Sequence, residues 1–306
     1  MQKVIDVKGL KKSYGELEAV KGVDLDVYEG ECFGFLGPNG AGKSTTINML
    51  CTMLKPSGGS AKIGGFDLMK ERASVRETIG IIFQDNTLDE KLTAKENLML
   101  HCRFYKVPAQ ERMTRIDRVL EMVELSDRKN SFVGTFSGGM KRRLEIARGL
   151  LHYPKVLFLD EPTVGLDPQT RAHIWDYIHK LREEIGITIF LTTHYMDEAE
   201  ICDKIAIIDD GRIIALDTPA GLKDGVGGDI IEISADNNLK AKEELEQKYG
   251  RTVKEQDSIL IFEVEKGNEF IAEFVKNADF RITSINLRRP TLNDVFLKLT
   301  GKQIRD

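Results

Sequence analysis

Apolar and polar positions alternate in short runs at the start of the chain. Val4–Val7 and Val23–Tyr28 read as strands around a turn at Ser13–Tyr14–Gly15. Glu31–Leu36 leads into a glycine-rich loop, after which Ser44–Leu54 places Ile47, Leu50 and Leu54 on one helical face. From about residue 88 to 150 the spacing is mostly helical. Val156–Leu159, Ile187–Thr192 and Ile205–Ile208 are apolar almost throughout, the pattern of central parallel strands covered on both faces. Asp167–Pro168 supplies an N-cap followed by proline at the first helical position. The helix it opens turns Ile174, Trp175, Ile178 and Leu181 inward, so the single tryptophan is expected in the core.

The pattern restarts after Thr218–Gly228, where glycine content rises. Ile230–Ser234, Ile259–Val264 and Arg281–Leu287 read as strands, and Leu239–Lys248 and Asn268–Lys276 as helices. Thr291 and Asp294 form a capping-box pattern before Leu292, Val295, Phe296 and Leu299, and Gly301 fits a C-cap. The expected organisation is a large α/β domain over residues 1–220, with a helical part at about 88–150, and a small α+β domain over 226–306. No internal repeat or low-complexity segment interrupts either.

Composition narrows the function. At 41% hydrophobic and 30% charged residues, the 306-residue chain reads as an ordinary globular protein. A net charge of −5 argues against broad binding to nucleic acid, which needs a basic face. Cys32, Cys51, Cys102 and Cys202 show neither a CxxC pair nor zinc spacing, which fits reduced thiols in a cytosolic protein. His101, His152, His173 and His179 have no metal spacing and read as structural or exposed. Lys3, Asp6 and Lys8 interrupt any signal peptide, and no apolar run approaches the roughly 20 residues of a membrane span. Membrane function would therefore need a partner chain.

The chemistry starts at Gly37-Pro38-Asn39-Gly40-Ala41-Gly42-Lys43-Ser44, which fits GxxxxGK[ST] and is followed by Thr45. Glycines let successive backbone N–H groups curl around phosphates. The following helix turns its positive end to the anion. Lys43 adds a full charge, and the Ser44 hydroxyl can ligate Mg²⁺. A hydrophobic strand precedes the loop and an amphipathic helix follows, as this motif requires. Alone, the loop fits many NTPases.

Val156–Leu159 ends in Asp160 and Glu161. A buried strand would deliver Asp160 to the sheet edge beside the phosphate loop, where it can hold Mg²⁺ through water. Glu161, one residue on, points elsewhere and is the candidate general base. Phe136-Ser137-Gly138-Gly139-Met140 opens another helix, with Lys141, Arg142 and Arg143 in its first turn. Cations there have the wrong sign for a helix N-terminus. A phosphate held by the Ser137 hydroxyl and the Gly138 and Gly139 amides would compensate; a solvated charged face is the alternative for the three cations.

In this order the motifs resemble the ATP-binding subunits of ATP-binding-cassette (ABC) transporters, over roughly residues 1–220. Tyr14 is similar to the aromatic residue that stacks on adenine, and Gly37–Thr45 to the Walker A loop. Gln84 resembles the Q-loop glutamine that senses Mg²⁺ and water. Ser137-Gly138-Gly139 resembles the signature motif, with Phe136 and Met140 where leucine and glutamine are commonest. Asp160 and Glu161 match Walker B and the base, Gly165-Leu166-Asp167 the D-loop, and His194 the switch histidine at the γ-phosphate. Taken singly, Tyr14, Gln84 and His194 have ordinary structural readings; order and spacing single them out. The SGGM-K-R-R form and the stretch Arg289–Phe296 are similar to the ABC-2 exporter branch, which includes daunorubicin-resistance ATPases.

The resemblance implies a P-loop NTPase fold of the ABC type, with a mixed-sheet core and a helical subdomain. It also implies ATP and Mg²⁺, and a head-to-tail homodimer with two ATP molecules at the interface. The chain would sit on the cytoplasmic face of the membrane beside an ABC-2 type permease, which would select the substrate. A soluble ABC ATPase of translation or DNA repair is the alternative, but those carry paired cassettes or coiled-coil inserts. A nucleotide-gated binding module with little turnover is a third reading, opposed by the presence of Glu161 and His194.

Overall fold

The computed structural model describes residues 2–256, 258–265 and 267–301. Its contacts divide between Leu216 and Asp217 into two units. The end of the expected second domain, 302–306, lies outside the described residues.

In the first unit, β1 (Lys3–Tyr14) and β2 (Leu17–Tyr28) pair antiparallel across the turn at residue 15. They are followed by β3 (Cys32–Leu36), α1 (Lys43–Leu50), β4 (Gly58–Ile63), β5 (Phe66–Asp67), α2 (Arg72–Thr78) and β6 (Ile79–Ile82). Next come α3 (Ala94–Phe104), α4 (Arg112–Met122) and α5 (Gly138–Leu150), with two short 3-10 turns before α5. The unit closes with β7 (Val156–Asp160), α6 (Pro168–Ile185), β8 (Thr188–Thr193), α7 (Met196–Glu200), β9 (Lys204–Asp209) and β10 (Arg212–Asp217).

These strands make two sheets. One is antiparallel, ordered β2-β1-β4-β5; the other is ordered β10-β9-β3-β8-β7-β6. In the second, β9, β3, β8, β7 and β6 run parallel, and β3, β7 and β8 are buried along their whole length. Solid burial explains why these strands read as unbroken apolar runs rather than alternating ones. The core that joins the sheets contains Val7 and Val23 from one, Phe33, Phe158 and Phe190 from the other, and Ile47 and Leu50 of α1. α1 ends at Leu50, four residues before the predicted Leu54, because Thr52 adopts a left-handed φ of 61° that breaks the ladder. Leu54 still packs against the core from outside the helix.

α3 begins in a capping box, with Thr93 and Glu96 bonding reciprocally. Near its end, Tyr105 stacks on His152 at 3.7 Å, with His101 4.8 Å from Tyr105. Burial, helped by the Arg148 charge, pulls His101 down to about 3. Burial also lowers His152, although its Nε2 meets the Ile79 carbonyl at 2.8 Å. Both histidines therefore have folded values below the unfolded one, so the neutral forms stabilise the fold above about pH 6.5 and this is lost on acidification. Going from pH 7.5 to pH 5 should cost about 2 kcal/mol of unfolding free energy through His101 alone. Denaturant titrations followed by Trp175 fluorescence check this, and His101→Gln should flatten the pH dependence.

In the second unit, α8 (Pro219–Asp224) precedes β11 (Asp229–Ala235), α9 (Asn238–Gln247), β12 (Lys254–Gln256), β13 (Ile259–Val264), α10 (Gly267–Asn277), β14 (Ile282–Arg288) and α11 (Leu292–Thr300). Its antiparallel sheet is ordered β12-β13-β11-β14. One face carries Ile231, Ile233, Leu260 and Phe262 against Ala241, Leu245 and Phe274 of α9 and α10. α11 opens with the predicted capping box and ends at Gly301, left-handed at φ 70°.

Candidate functional site

Three buried strands end at one cavity. β3 delivers the glycine-rich loop, β7 delivers Asp160 and Glu161, and β8 delivers His194. The cavity measures about 450 Å³ and is lined by Asn39, Gly40, Gly42, Lys43, Ser44 and Thr45, together with Gln84, Glu161 and His194. Ala19 and Val164 complete the lining. Neither carries a chemical signature a sequence reader could use.

The loop has its shape because of two close approaches. A Cβ on Gly37 would lie 2.3 Å from the Ile208 carbonyl oxygen of β9. Gly42 sits at φ 105°, and a Cβ there would lie 2.7 Å from the Ala19 carbonyl oxygen. α1 then starts at Lys43, which leaves the amides of Lys43, Ser44 and Thr45 without a carbonyl partner in the helix, the arrangement that accepts an anion at a helix N-terminus.

Lys43 is only 4% exposed. Its Nζ donates to the carbonyls of Gly37 at 2.8 Å and Pro38 at 3.1 Å, and pairs with Glu161 Oε1 at 3.1 Å. Asp160 accepts a 2.5 Å bond from the Thr192 hydroxyl. Burial pushes the Asp160 carboxyl up, and neighbouring Glu161 adds to this, while Thr192, Lys43 and Ser44 pull it down. Glu161 leaves the strand in a left-handed conformation, φ 46°, with its amide donating to the Thr192 carbonyl at 3.1 Å. Such a backbone is costly for a non-glycine residue, and the consecutive carboxylates meet different partners, Asp160 the Thr192 hydroxyl and Glu161 the Lys43 ammonium. Glu161 Oε2 lies 3.4 Å from His194 Nδ1, in a geometry too oblique for a hydrogen bond.

The remaining predicted site residues lie outside this lining. Tyr14 is 49% exposed beneath the Lys12 ammonium, 5.0 Å from its ring centroid. The Ser137 hydroxyl caps α5, accepting from the Met140 amide at 3.3 Å. A Cβ on Gly139 would lie 2.6 Å from Thr170 Cγ2, and one on Gly138 would touch Leu166. The Ser-Gly-Gly turn therefore packs on the start of α6. Asp167 caps α6, accepting from the Thr170 amide at 2.9 Å and its hydroxyl at 2.6 Å. None of Tyr14, Gly37, Ser137, Gly138, Gly139, Asp160 or Asp167 lines the cavity formed by the loop; Asp160 stands behind Glu161 at the end of β7.

The three cations after the Ser-Gly-Gly turn do not form a solvated face; each has partners within the chain. Lys141 pairs with Glu90, and Arg143 donates to the Val123 carbonyl at 3.1 Å and the Tyr177 hydroxyl at 2.8 Å. Arg142 is 6% exposed and points inward. Tertiary partners far away in sequence thus override the helix-dipole argument.

Sequence reading also missed Glu198, one turn past His194 and 1% exposed. Its carboxylate accepts from Thr193 at 2.5 Å, from Trp175 Nε1 at 3.3 Å and from Thr163. It thereby ties the His194 segment to the segment after Glu161. Trp175 is core, as expected, but its N–H belongs to this network. Burial raises the Glu198 carboxyl, and the three donors oppose that shift.

Comparison with known proteins fixes the family. Residues 20–164 match the family model described as ABC transporter, and residues 218–300 match the C-terminal domain of ATP-binding proteins like DrrA1-3. The linearmycin resistance ATP-binding protein LnrL of Bacillus subtilis is 39% identical over 99% of this chain and 100% of its own length. The chain belongs to the ABC transporter ATP-binding family. Within that family, the Nod factor export ATP-binding protein I of Paraburkholderia xenovorans is 38% identical over 99% of this chain and 98% of its own. A dimeric ATP-binding cassette solved in a post-hydrolysis state with ADP and Pi superposes with a TM-score of 0.63. It is 32% identical and covers 70% of this chain and 98% of its own. This ABC subunit is an ATPase: it binds ATP and hydrolyses it, on an α/β P-loop domain with a mixed sheet.

Proposed function

We propose that two copies of this ABC ATPase close head-to-tail on two ATP molecules and drive export through a separate permease of the ABC-2 type. The chain is then peripheral on the cytoplasmic face of the membrane. No helix among the described residues is long and apolar enough to cross a bilayer, so the path for substrate belongs to another chain. Relatives named for drug resistance and Nod factor export support the outward direction.

One observation carries the dimer. Gly40, Gly42–Thr45, Gln84, Glu161 and His194 share one cavity, while Ser137–Gly139 does not line it. A nucleotide in that cavity is left open on one side, and a second copy can close it with its own Ser-Gly-Gly turn. In this reading the loop amides and Lys43 grip the phosphates, and Tyr14 and Asp167 join the nucleotide on closure. Glu161 takes the proton of the attacking water, and His194 contacts the terminal phosphate. The oxygen donors Ser44, Asp160 and Gln84 suit a hard cation, and the buried Asp160 carboxyl is a natural anchor for Mg²⁺. The ion would neutralise charge building on the phosphates. The chain after residue 226 is an accessory domain that packs, stabilises the dimer or regulates it.

A mixing experiment tests the shared site. Lys43→Ala and Ser137→Arg subunits should each be nearly inactive alone. Mixed dimers contain one intact composite site, so activity should return on mixing. No recovery would mean that each chain completes its own site. Gentle detergent extraction should retain an integral membrane protein; ribosomes or DNA in its place would defeat the transport reading.

A further inference from the structure

Arg142 is a buried cation with an unusual set of partners. It stands one helical turn beyond Ser137–Gly139 on α5, and its guanidinium spans two loops far apart in sequence. Nε donates to the Pro162 carbonyl at 2.5 Å, directly after Glu161. Nη1 donates to the Phe83 carbonyl, directly before Gln84, and to Glu145 Oε2 at 2.9 Å. Glu145, 2% exposed, uses its other oxygen to accept from the Thr87 amide at 2.9 Å. Arg142 Nη2 is buried without a hydrogen-bond partner.

A buried ion pair is a poor way to gain stability. Desolvation offsets most of the attraction, and apolar side chains of the same volume often do as well. A planar fork with five donors does something apolar packing cannot: it holds two backbone carbonyls at fixed positions relative to one helix. Those carbonyls adjoin Gln84 and Glu161. We propose that Arg142 is a positioning residue that couples the Ser-Gly-Gly turn to the Gln84 and Glu161 loops of its own chain. When nucleotide on a partner copy draws Ser137–Gly139 forward, α5 moves as a rigid rod and Arg142 carries both loops with it. The inference rests on the dimer reading above. It adds that nucleotide held by the turn in one direction sets the base in the other, within a single subunit. Misplacement of a reacting group by about 1 Å can cost about 100-fold in rate.

The test uses the full-length protein, with Arg142→Met and with Arg142→Met combined with Glu145→Gln. The double variant removes both charges, so no uncompensated carboxylate is buried if the single variant folds poorly. ATP affinity should stay within about twofold of the parent, because Lys43 and the loop are untouched, while kcat falls at least about tenfold. Hydrogen exchange with and without ATP supplies the reading that a merely structural role would not move. In the parent, ATP should slow exchange at 138–141, at 83–87 and at 161–164. In the variants, slowing should persist at 138–141 and disappear from the other two segments. ATP-linked slowing at 83–87 and 161–164 equal to the parent's, or kcat within twofold, overturns the proposal. Absence of slowing at 138–141 in the parent overturns the reading of the Ser-Gly-Gly turn itself, and this proposal with it.

Discussion

Glu161→Gln should reduce ATP turnover by about 10²–10⁴-fold, the usual worth of a positioned general base, while ATP binding stays intact. The amide keeps the size of the carboxylate and its fit beside His194, but cannot take a proton from water. Binding should not weaken, because Glu161 pairs with Lys43 at 3.1 Å and so competes with phosphate for the ammonium. Without that ion pair the ammonium is freer to meet phosphate. ATP-bound dimers should therefore accumulate and persist. Single-turnover phosphate release and size-exclusion chromatography with Mg-ATP check both halves. Turnover within about tenfold of the parent would remove Glu161 as the base.

The opposite pattern is expected of Lys43→Ala, which should lose binding. Lys43 is buried, and its present partners are two loop carbonyls and Glu161. The triphosphate is a stronger anionic partner for the ammonium than any of these. Truncating one member of a buried charged pair typically costs 2–5 kcal/mol, so affinity for ATP should fall by roughly 30-fold or more. The change also leaves Glu161 buried beside His194 with no cation opposite, adding repulsion towards the phosphates. Equilibrium titration with a fluorescent ATP analogue checks this. Unchanged affinity would mean that the loop does not hold the phosphates. Together the two variants separate gripping the nucleotide from cleaving it, since one should lose binding and the other should lose only turnover.

The fold was largely legible because its signals are local. Solid apolar runs at Val156–Leu159, Ile187–Thr192 and Ile205–Ile208 have one cheap resting place, a parallel sheet covered on both faces. Caps at Asp167, Thr291 and Gly301 were legible for the same reason: a cap is written within four residues. The end of α1 was not, because Thr52 leaves the helix through a left-handed conformation that its residue type does not announce.

The site divides the same way. Glycine spacing, strand-end carboxylates and the motif order are properties of the chain, and from them sequence alone determined the fold class, the family resemblance and the candidate chemistry. Which residues share a cavity was decided only in three dimensions. The Glu161 kink, the Lys43–Glu161 pair and the Glu198 network join positions brought together by strand order in the sheet. Arg142 is the sharpest instance. By sequence it is one of three cations at a helix start; by structure it is buried across two loops, 59 residues from Phe83 and 20 from Pro162. Short-range periodicity encodes which element forms, whereas the partner of a buried charge depends on what desolvation leaves within reach once the sheets have closed.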